Sequence, residues 1–296
     1  MAKTVKAKKP KETRVSNGAP SMMGGIKRAD FVSALARGLD VLKLFSETRP
    51  KLSTSDVATL TDLSRAAARR FLLTLTELGY LQNEGDMFEP RPKILELGYT
   101  YLSTWRFPEL VRPYLQDVVD TLHENCSFAV LDSSDVVYLA RAEARRIVQS
   151  ITVSVGTRIP AGVSSLGRVL LAYQTPEKIN AFLEHHPLKA STSMTITDPV
   201  LFREKLASIR EQGWTLINGE FEEQLLSIAV PILMPDGTPV GAINVGAPSS
   251  RASVEQMETE YLPVLKQAAS NIAKAFASSG RDVSKIQTVR LTGEIP

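Results

Sequence analysis

The sequence predicts an α+β protein of two domains, in which a small helical domain ending in a hairpin precedes a larger domain built on an antiparallel sheet. Residues 31–89 show three amphipathic helical segments and then short alternating strands around a glycine-centred turn. From residue 127 the pattern changes to strands, and Pro235-Asp236-Gly237 marks a hairpin turn between two of them. A chain of 296 residues with 43% hydrophobic residues is long enough for two cores.

Charge is concentrated at the start of the chain. Residues 1–28 hold eight Lys or Arg and one Glu, which exceeds the net charge of +3 of the whole chain. We expect this segment to be a disordered tail, and two interpretations stay open: a solvated leader, or an arm that adds phosphate contacts to a DNA complex. It lacks the apolar segment of a signal peptide, and no apolar run is long enough to cross a bilayer. Cys126 is the only cysteine, so we expect no disulfide and a cytoplasmic protein.

The N-terminal domain, residues 29–92, has the element order of a winged helix-turn-helix. The segments are a first helix at Phe31–Phe45, N-capping residues Ser53–Asp56 before a short second helix, a turn at Thr61–Leu63, a third helix at Ser64–Leu78 and a hairpin centred on Gly85. Leu35, Leu39, Leu42 and Phe45 give the first helix one apolar face. A hairpin directly after the second helix of a helix-turn-helix pair is the wing of that fold.

The third helix has one apolar stripe and one face of small and basic residues. The stripe consists of Ala68, Phe71, Leu72, Leu75 and Leu78, and the opposite face carries Ser64, Arg65, Ala66 and Arg69 with Arg70 at its flank. Small residues beside arginines suit a helix that enters a DNA major groove, where arginine pairs bidentately with base acceptors. The alternative is a surface helix with solvated arginines.

A linker helix at 93–107 leads to a second domain at 108–280, and residues 281–296 form a C-terminal tail. The second domain is predicted to contain helices at Glu109–Glu124, Ser164–Ala172, Pro176–Glu184, Pro199–Glu211 and Val254–Ala277, with a loop at Gly156–Gly162. Its strands are predicted at Ser127–Asp132, Val136–Ala142, Ile147–Val155, Trp214–Asn218, Leu226–Leu233 and Val240–Val245. A central antiparallel sheet flanked by helices is typical of sensor domains.

Five motifs in order resemble the isocitrate-lyase-regulator (IclR) family of bacterial transcription factors. They are Ala36-Arg37-Gly38-Leu39-Asp40-Val41-Leu42, Leu63-Ser64-Arg65-Ala66-Ala67-Ala68-Arg69-Arg70, Leu78-Gly79-Tyr80, Pro160 with Leu166–Ala172, and Ser227–Pro231 with the strand to Gly246. The resemblance extends from about residue 30 to 276. The run Arg65–Leu75 looks most like the branch that controls protocatechuate, 4-hydroxybenzoate and β-ketoadipate catabolism. Asp62 and Gln224 stand where the family usually has glycine.

The resemblance implies a winged helix-turn-helix joined to a GAF-like effector domain, with dimers formed by the DNA-binding domains and further assembly into tetramers. For a palindromic double-stranded operator we expect base contacts from Ser64, Arg65, Ala66 and Arg69, and phosphate contacts from Arg37, Ser53, Thr54 and Arg70. No membrane association, cofactor or metal is expected.

The resemblance also implies an effector pocket lined by Ser165, Leu166, Asn218, Ser227, Asn244 and Gly246. From the residues alone, Ser227, Asn244 and Gly246 lie on two strands of one hairpin, so their inward faces can converge on one cavity; hydrogen bonding inside a core is the alternative for the two polar ones. The start of the helix at Ser164 offers free N–H groups to a carboxylate, so we expect a small organic acid, aromatic or dicarboxylic. Arg158 is either a partner for that acid or an exposed loop charge.

Two other function classes remain as alternatives. An enzyme is disfavoured because residues 162–166 lack the G-x-S-x-G spacing, His185 and His186 are adjacent and diverge by about 100° on a helix, and Cys126 has no base beside it. We therefore expect no catalytic residues. The other alternative is a ligand sensor that acts through protein partners without binding DNA.

Overall fold

The computed structural model of the chain describes residues 30–105, 107–144 and 153–280, together with a short antiparallel pair of strands, β1 (Met22–Met23) and β2 (Ile26–Lys27). This pair lies inside the segment predicted as a disordered tail, so that prediction is wrong for these four residues. The rest of the basic tail and the C-terminal tail at 281–296 lie outside the described residues.

The N-terminal domain is the predicted winged helix-turn-helix. Its elements are α1 (Ser33–Lys43), β3 (Leu52–Ser53), α2 (Thr54–Thr61), α3 (Arg65–Glu77), β4 (Leu81–Glu84) and β5 (Met87–Pro90). The hairpin β4–β5 gains a third strand because β3 pairs with β5, in the order β3-β5-β4. The short β3 was not predicted, since two residues show no periodicity.

Local capping explains where α2 and α3 begin and end. Ser53 and Asp56 form a capping box at α2, in which each side chain bonds the other residue's backbone N–H. The N–H of Ser53 and its hydroxyl hold the pKa of Asp56 below its usual value. Asp62 adopts the left-handed conformation, with φ of 54°, and so supplies the turn that glycine usually makes. Ser64 caps α3 by accepting the N–H of Ala67 at 3.2 Å.

The core of this domain agrees with the predicted stripe of α3 from Ala68 to Leu75 and differs from prediction at Leu78 and on α1. Its buried residues are Val41, Leu52, Val57, Ala58, Ala68, Leu72, Leu75, Leu81 and Phe88. Leu35 and Leu39, predicted on the buried face of α1, are 64% and 46% exposed, and Leu78 at the end of the α3 stripe is 52% exposed. The helical period of α1 is correct, but much of its apolar face does not turn toward the domain's own core.

Two consecutive helices join the domains. A 3-10 turn at Pro92–Ile94 leads into α4 (Leu95–Trp105), and α5 (Phe107–Leu122) follows closely and ends before His123, whose φ is positive. None of the helices within the described ranges is long and apolar enough to span a bilayer.

The C-terminal domain is built on one antiparallel sheet of six strands in the order β8-β7-β6-β11-β10-β9. The strands are β6 (Cys126–Asp132), β7 (Asp135–Ala142), β8 (Arg158–Pro160), β9 (Thr215–Asn218), β10 (Leu225–Leu233) and β11 (Pro239–Pro248). Two predictions at the β8 edge are wrong. The expected loop 156–162 contains β8, because Ile159 pairs with Val136, and residues 153–155 of the expected strand 147–155 are not a strand. Residues 147–152 lie outside the described residues.

Helices cover both faces of this sheet. They are α6 (Ser165–Ala172), α7 (Pro176–His185), α8 (Pro199–Gln212), α9 (Val254–Gln256) and α10 (Leu262–Ser278), with a π-turn at Met257–Tyr261 between the last two. One face packs against α5 and α10, and the other against α6 and α8. The α6 helix covers only part of its face, which leaves space for a cavity at the side of its first turn.

Candidate functional site

The exposed face of α3 is free for contact with a partner. Arg65, Ala66, Arg69 and Arg70 are exposed. None of the three guanidinium groups makes an ion pair or hydrogen bond with any part of the chain that the structure describes. Ser64, also exposed, uses its hydroxyl oxygen to cap the helix. A row of unpaired guanidinium groups beside a small residue at a helix N-terminus matches what a major groove accepts.

The residues predicted to contact phosphates differ in how exposed their side chains are. Arg37 on α1 is exposed. Ser53 is half-buried, and its hydroxyl donates to Asp56 at 2.7 Å within the capping box. Thr54 is only 6% exposed and donates to Asp86 in the turn of the wing at 3.3 Å, so the structure does not present its side chain to a ligand.

A cavity of about 400 Å³ lies on the α6 face of the large sheet, between the sheet, the first turn of α6 and the connection from β9 to β10. Its apolar walls are Tyr138, Val153, Ile159, Val163, Ile217, Phe221, Leu225 and Pro248, and its polar lining is Glu124, Asn125, Ser127, Arg141, Ser164, Ser165, Gln224, Ser227, Asn244, Gly246 and Arg251. Polar groups that converge between apolar walls are typical of small-molecule sites.

Four of the six predicted effector residues line this cavity. Ser165 on α6 and Ser227 on β10 share a hydrogen bond of 2.7 Å between their hydroxyls, and the amide of Asn244 on β11 donates to Ser227 at 3.0 Å. Gly246 lies opposite Ser227 in the sheet register. The two strands of one hairpin therefore bring these residues together, as their positions in the sequence predicted.

The other two predicted effector residues do not line the cavity. Leu166 is fully buried in the core between α6 and the sheet, because it follows Ser165 by one residue and so points about 100° away around the helix. Asn218 is exposed at the end of β9. Its neighbour Ile217 lines the cavity, and side chains alternate along a strand, so Asn218 faces away.

The cavity also contains charged residues that the sequence did not single out. Arg141 on β7 donates to Ser127 at 3.1 Å and lies 3.1 Å from the half-exposed Glu143. Arg251 donates through two nitrogens to both oxygens of Glu124, at 3.0 and 2.9 Å, and Glu124 is almost fully buried. These hydrogen bonds to Glu124 raise the pKa of Arg251. Arg251 is thus matched by a buried carboxylate, whereas the acidic partner of Arg141 among the described residues is the exposed Glu143.

A bulge explains why Arg141 was missed. Phe128 pairs with Ala140 and Ala129 with Tyr138, so one residue of β7 between them has no partner and the alternation shifts. Tyr138 and Arg141 then face the same cavity although they are three residues apart. Burial raises the pKa of Tyr138 to about 12, more than the nearby Arg141 lowers it. Its phenol therefore remains a neutral hydrogen-bonding group at physiological pH.

Arg158 and Cys126 do not belong to the site. Arg158 forms ion pairs with Asp132 at 2.6 Å and with Asp135 at 3.1 Å at the edge of the sheet, which favours the interpretation as a loop charge. Cys126 is fully buried, and burial raises the pKa of its thiol, so it is not an activated nucleophile.

A helix-turn-helix whose third helix exposes its arginines, together with a separate domain that holds a ligand-sized cavity of mixed lining, defines a ligand-responsive DNA-binding regulator. Comparison with family models agrees: the IclR helix-turn-helix domain matches residues 34–85, and the C-terminal domain of bacterial transcriptional regulators of the IclR type matches residues 99–274. The chain belongs to the IclR family of transcriptional regulators, and it is not an enzyme.

Individual relatives cover most of the chain. The chain is 37% identical to the Pca regulon regulatory protein of Pseudomonas putida, over 82% of this chain and 84% of that one. It is 32% identical to the p-hydroxybenzoate hydroxylase transcriptional activator of Acinetobacter baylyi, over 83% and 93%. The crystal structure of an IclR homologue from Microbacterium hydrocarbonoxydans in complex with 4-hydroxybenzoate superposes with a TM-score of 0.72 at 26% identity, over 83% of this chain and 99% of that one.

Proposed function

We propose that this regulator binds a palindromic operator as a homodimer and responds to a small aromatic acid held in the cavity of its C-terminal domain. The observation that carries the proposal is the cavity itself, in which Arg141 and the cluster of Ser165, Ser227 and Asn244 lie on one continuous polar row across the sheet. Because the operator is chromosomal DNA, we place the protein in the cytoplasm.

For DNA we assign base contacts to Ser64, Arg65, Ala66 and Arg69, and phosphate contacts to Arg37 and Arg70, in keeping with their exposure. Ser53 acts mainly as the cap that fixes the N-terminus of α2, and the buried Thr54 supports the wing through Asp86 rather than contacting phosphate through its side chain.

The surface for dimerisation is an apolar face that the monomer leaves exposed. At the N-cap of α1 Val32 is 64% exposed, and Leu35 and Leu39 within α1 are 64% and 46% exposed. On α4, Leu95 and Tyr99, which lie one turn apart, are 70% and 69% exposed. Clusters of large exposed apolar side chains are typical of an interface. A second copy is the occupant we propose, because a two-fold axis presents two α3 helices to the two half-sites of a palindrome. Assembly of dimers into tetramers stays a proposal that rests on the family resemblance.

The cavity fits a planar acid with a polar group at its far end. Arg141 and Ser227 lie on strands three positions apart in the sheet, which separates their backbones by roughly 14 Å before the side chains reach inward. Apolar walls from Tyr138 and Phe221 border the space between them. The carboxylate would pair with Arg141, a hydroxyl would join the Ser165–Ser227 pair, and a ring would contact the apolar walls.

The relatives support the same ligand class. One is named as a regulator of p-hydroxybenzoate hydroxylase, and one IclR homologue holds 4-hydroxybenzoate in its crystal structure. We therefore propose a role in the control of aromatic catabolism.

Two measurements test this function. A gel shift with the DNA upstream of the protein's own gene should show specific binding, and its absence would favour a sensor that acts through protein partners. Calorimetric titration with 4-hydroxybenzoate, protocatechuate and β-ketoadipate should give heat with at least one aromatic acid. No heat from any aromatic acid would refute the proposed ligand class, and heat from β-ketoadipate alone would replace it with a dicarboxylate.

A further inference from the structure

A buried ion pair connects the two walls of the cavity. Arg168 on α6 is fully buried and Glu220, in the connection between β9 and β10, is 9% exposed. The guanidinium of Arg168 donates to both carboxylate oxygens of Glu220, one at 2.8 Å, and its Nε donates to the carbonyl of Gly162 at 2.9 Å. The ring of Phe202 lies under the guanidinium at 5.5 Å. These four contacts hold Arg168 in place, and the two to Glu220 attach α6 to the β9–β10 connection.

Glu220 is also the point where a third segment joins. The N–H of Ile196 donates to its carboxylate at 3.3 Å, and the hydroxyl of Thr195 donates to its backbone carbonyl at 2.6 Å. The hydroxyl of Thr192 donates to the carbonyl of Gly219 at 2.6 Å. The loop at 191–196 and the β9–β10 connection are therefore attached to each other and, through Arg168, to α6.

The residues next to this ion pair line the cavity on both sides. Ser165 precedes Arg168 by one helical turn and belongs to the polar cluster of the cavity. Phe221 follows Glu220 directly, packs against the core of the α6 face and borders the cavity, and Gln224 lies in the same wall. Neither Arg168 nor Glu220 lines the cavity itself. The pair therefore lies behind the two walls and links them.

We propose that Glu220 and Arg168 are positioning residues for the effector: their ion pair holds the β9–β10 connection against α6, and so controls how tightly the cavity retains its ligand. This inference rests on the proposed effector function of the cavity. A buried ion pair is weak evidence for stability, since its desolvation offsets much of its attraction. We therefore explain the burial of these two charges directly behind the cavity by their holding of the β9–β10 connection against α6, and not by a contribution to stability.

The test is Glu220→Gln, which keeps the size of the side chain and removes its charge. We expect faster dissociation of 4-hydroxybenzoate and an affinity lower by roughly ten- to a hundredfold, the range found when residues behind the direct ligands of a metal site are replaced. Affinity for the operator without ligand should not change, because α3 lies in the other domain. In the ligand-free protein, hydrogen exchange should rise at residues 219–225 and stay unchanged in β4 and β5.

Two further variants separate positioning from general destabilisation. Thr195→Val removes one hydrogen bond to Glu220 and should act in the same direction with a smaller effect, even if Glu220→Gln folds poorly. Asp135→Asn weakens the exposed ion pair of Arg158 at the far edge of the same sheet and should leave ligand affinity unchanged.

The inference is overturned if Glu220→Gln lowers the unfolding temperature while the affinity for 4-hydroxybenzoate and the exchange at 219–225 stay as in the unmodified protein. If the unmodified protein binds no aromatic acid, the proposed function fails instead, and hydrogen exchange alone then decides whether the ion pair positions this wall.

Discussion

Replacing Arg141 with methionine removes the cationic end of the proposed effector site. The Arg141 side chain is 12% exposed and its acidic neighbour Glu143 is 52% exposed, so a ligand carboxylate can replace or join that partner at small cost. Hydrogen bonds to a charged group contribute about 1.5–3 kcal/mol. Since 1.4 kcal/mol corresponds to a factor of ten, we expect Arg141→Met to weaken binding of a benzoate-type acid roughly 10- to 100-fold.

The assay compares two ligands and three proteins by calorimetry. 4-Hydroxybenzoate carries the carboxylate, and 4-hydroxybenzamide has nearly the same shape without the charge. The unmodified protein should bind the acid more tightly than the amide, by a factor similar to the loss of affinity predicted for Arg141→Met. The Arg141→Met variant should bind the acid and the amide with similar affinities. Arg158→Met is the matched control, because Arg158 lies on the neighbouring strand β8, pairs with Asp132 and Asp135, and does not line the cavity.

The reasoning is refuted if Arg141→Met keeps the preference for the acid over the amide. The carboxylate would then lie elsewhere, at another donor of the lining such as Arg251 or the N–H groups of the first turn of α6. An equal loss in Arg158→Met would show that the effect comes from the net charge of the domain and not from contact.

Four further predictions address other parts of the molecule. Arg65→Ala should weaken specific operator binding by roughly 1–3 kcal/mol and, in a binding-site selection, relax the base preference at one position per half-site. A loss of affinity that is the same for all DNA sequences would make Arg65 a phosphate contact. Leu35→Asp places a charge on the exposed apolar face of α1 and should yield monomers in sedimentation, whereas an intact dimer would exclude this face as the interface. Affinity for benzoate, an acid without an ionisable hydroxyl, should stay constant between pH 7 and 9, because burial keeps the pKa of Tyr138 near 12 and its phenol protonated; an affinity for benzoate that falls in step with a titration in this range would contradict that. Gly167→Ala should lower the free energy of unfolding by about 1–3 kcal/mol or more, because a Cβ there would lie 2.3 Å from the backbone of Ala161 in the preceding loop. Gly98→Ala should raise the free energy of unfolding by about 0.5–1 kcal/mol, because Gly98 lies in α4 with open space around it. A Gly167 variant as stable as the unmodified protein would show that the loop moves to accommodate the added Cβ.

Features that depend on neighbouring residues were predictable from the sequence. The capping box of Ser53 and Asp56, the cap at Ser64 and the turn at Asp62 each involve residues within three positions, so their signals are local. The pairing of β10 with β11 was predictable for the same reason, since one short turn joins them. That pairing was enough to bring Ser227 and Asn244 to one cavity.

Features that depend on distant pairing were not predictable. Glu124 and Arg251 are 127 residues apart, and Arg141 faces the cavity only because a bulge shifts the alternation of β7. The periodicity of α1 showed an apolar face at Leu35 and Leu39, but periodicity does not say whether that face meets the core of its own domain or another chain.

The most direct test of the account measures DNA binding and ligand binding on one variant. Arg65→Ala combined with Arg69→Ala removes two exposed guanidinium groups from α3 and touches nothing in the C-terminal domain. The account predicts that this variant loses specific binding to the upstream DNA in fluorescence anisotropy and binds 4-hydroxybenzoate with unchanged affinity in calorimetry. Operator binding that survives both substitutions would contradict it.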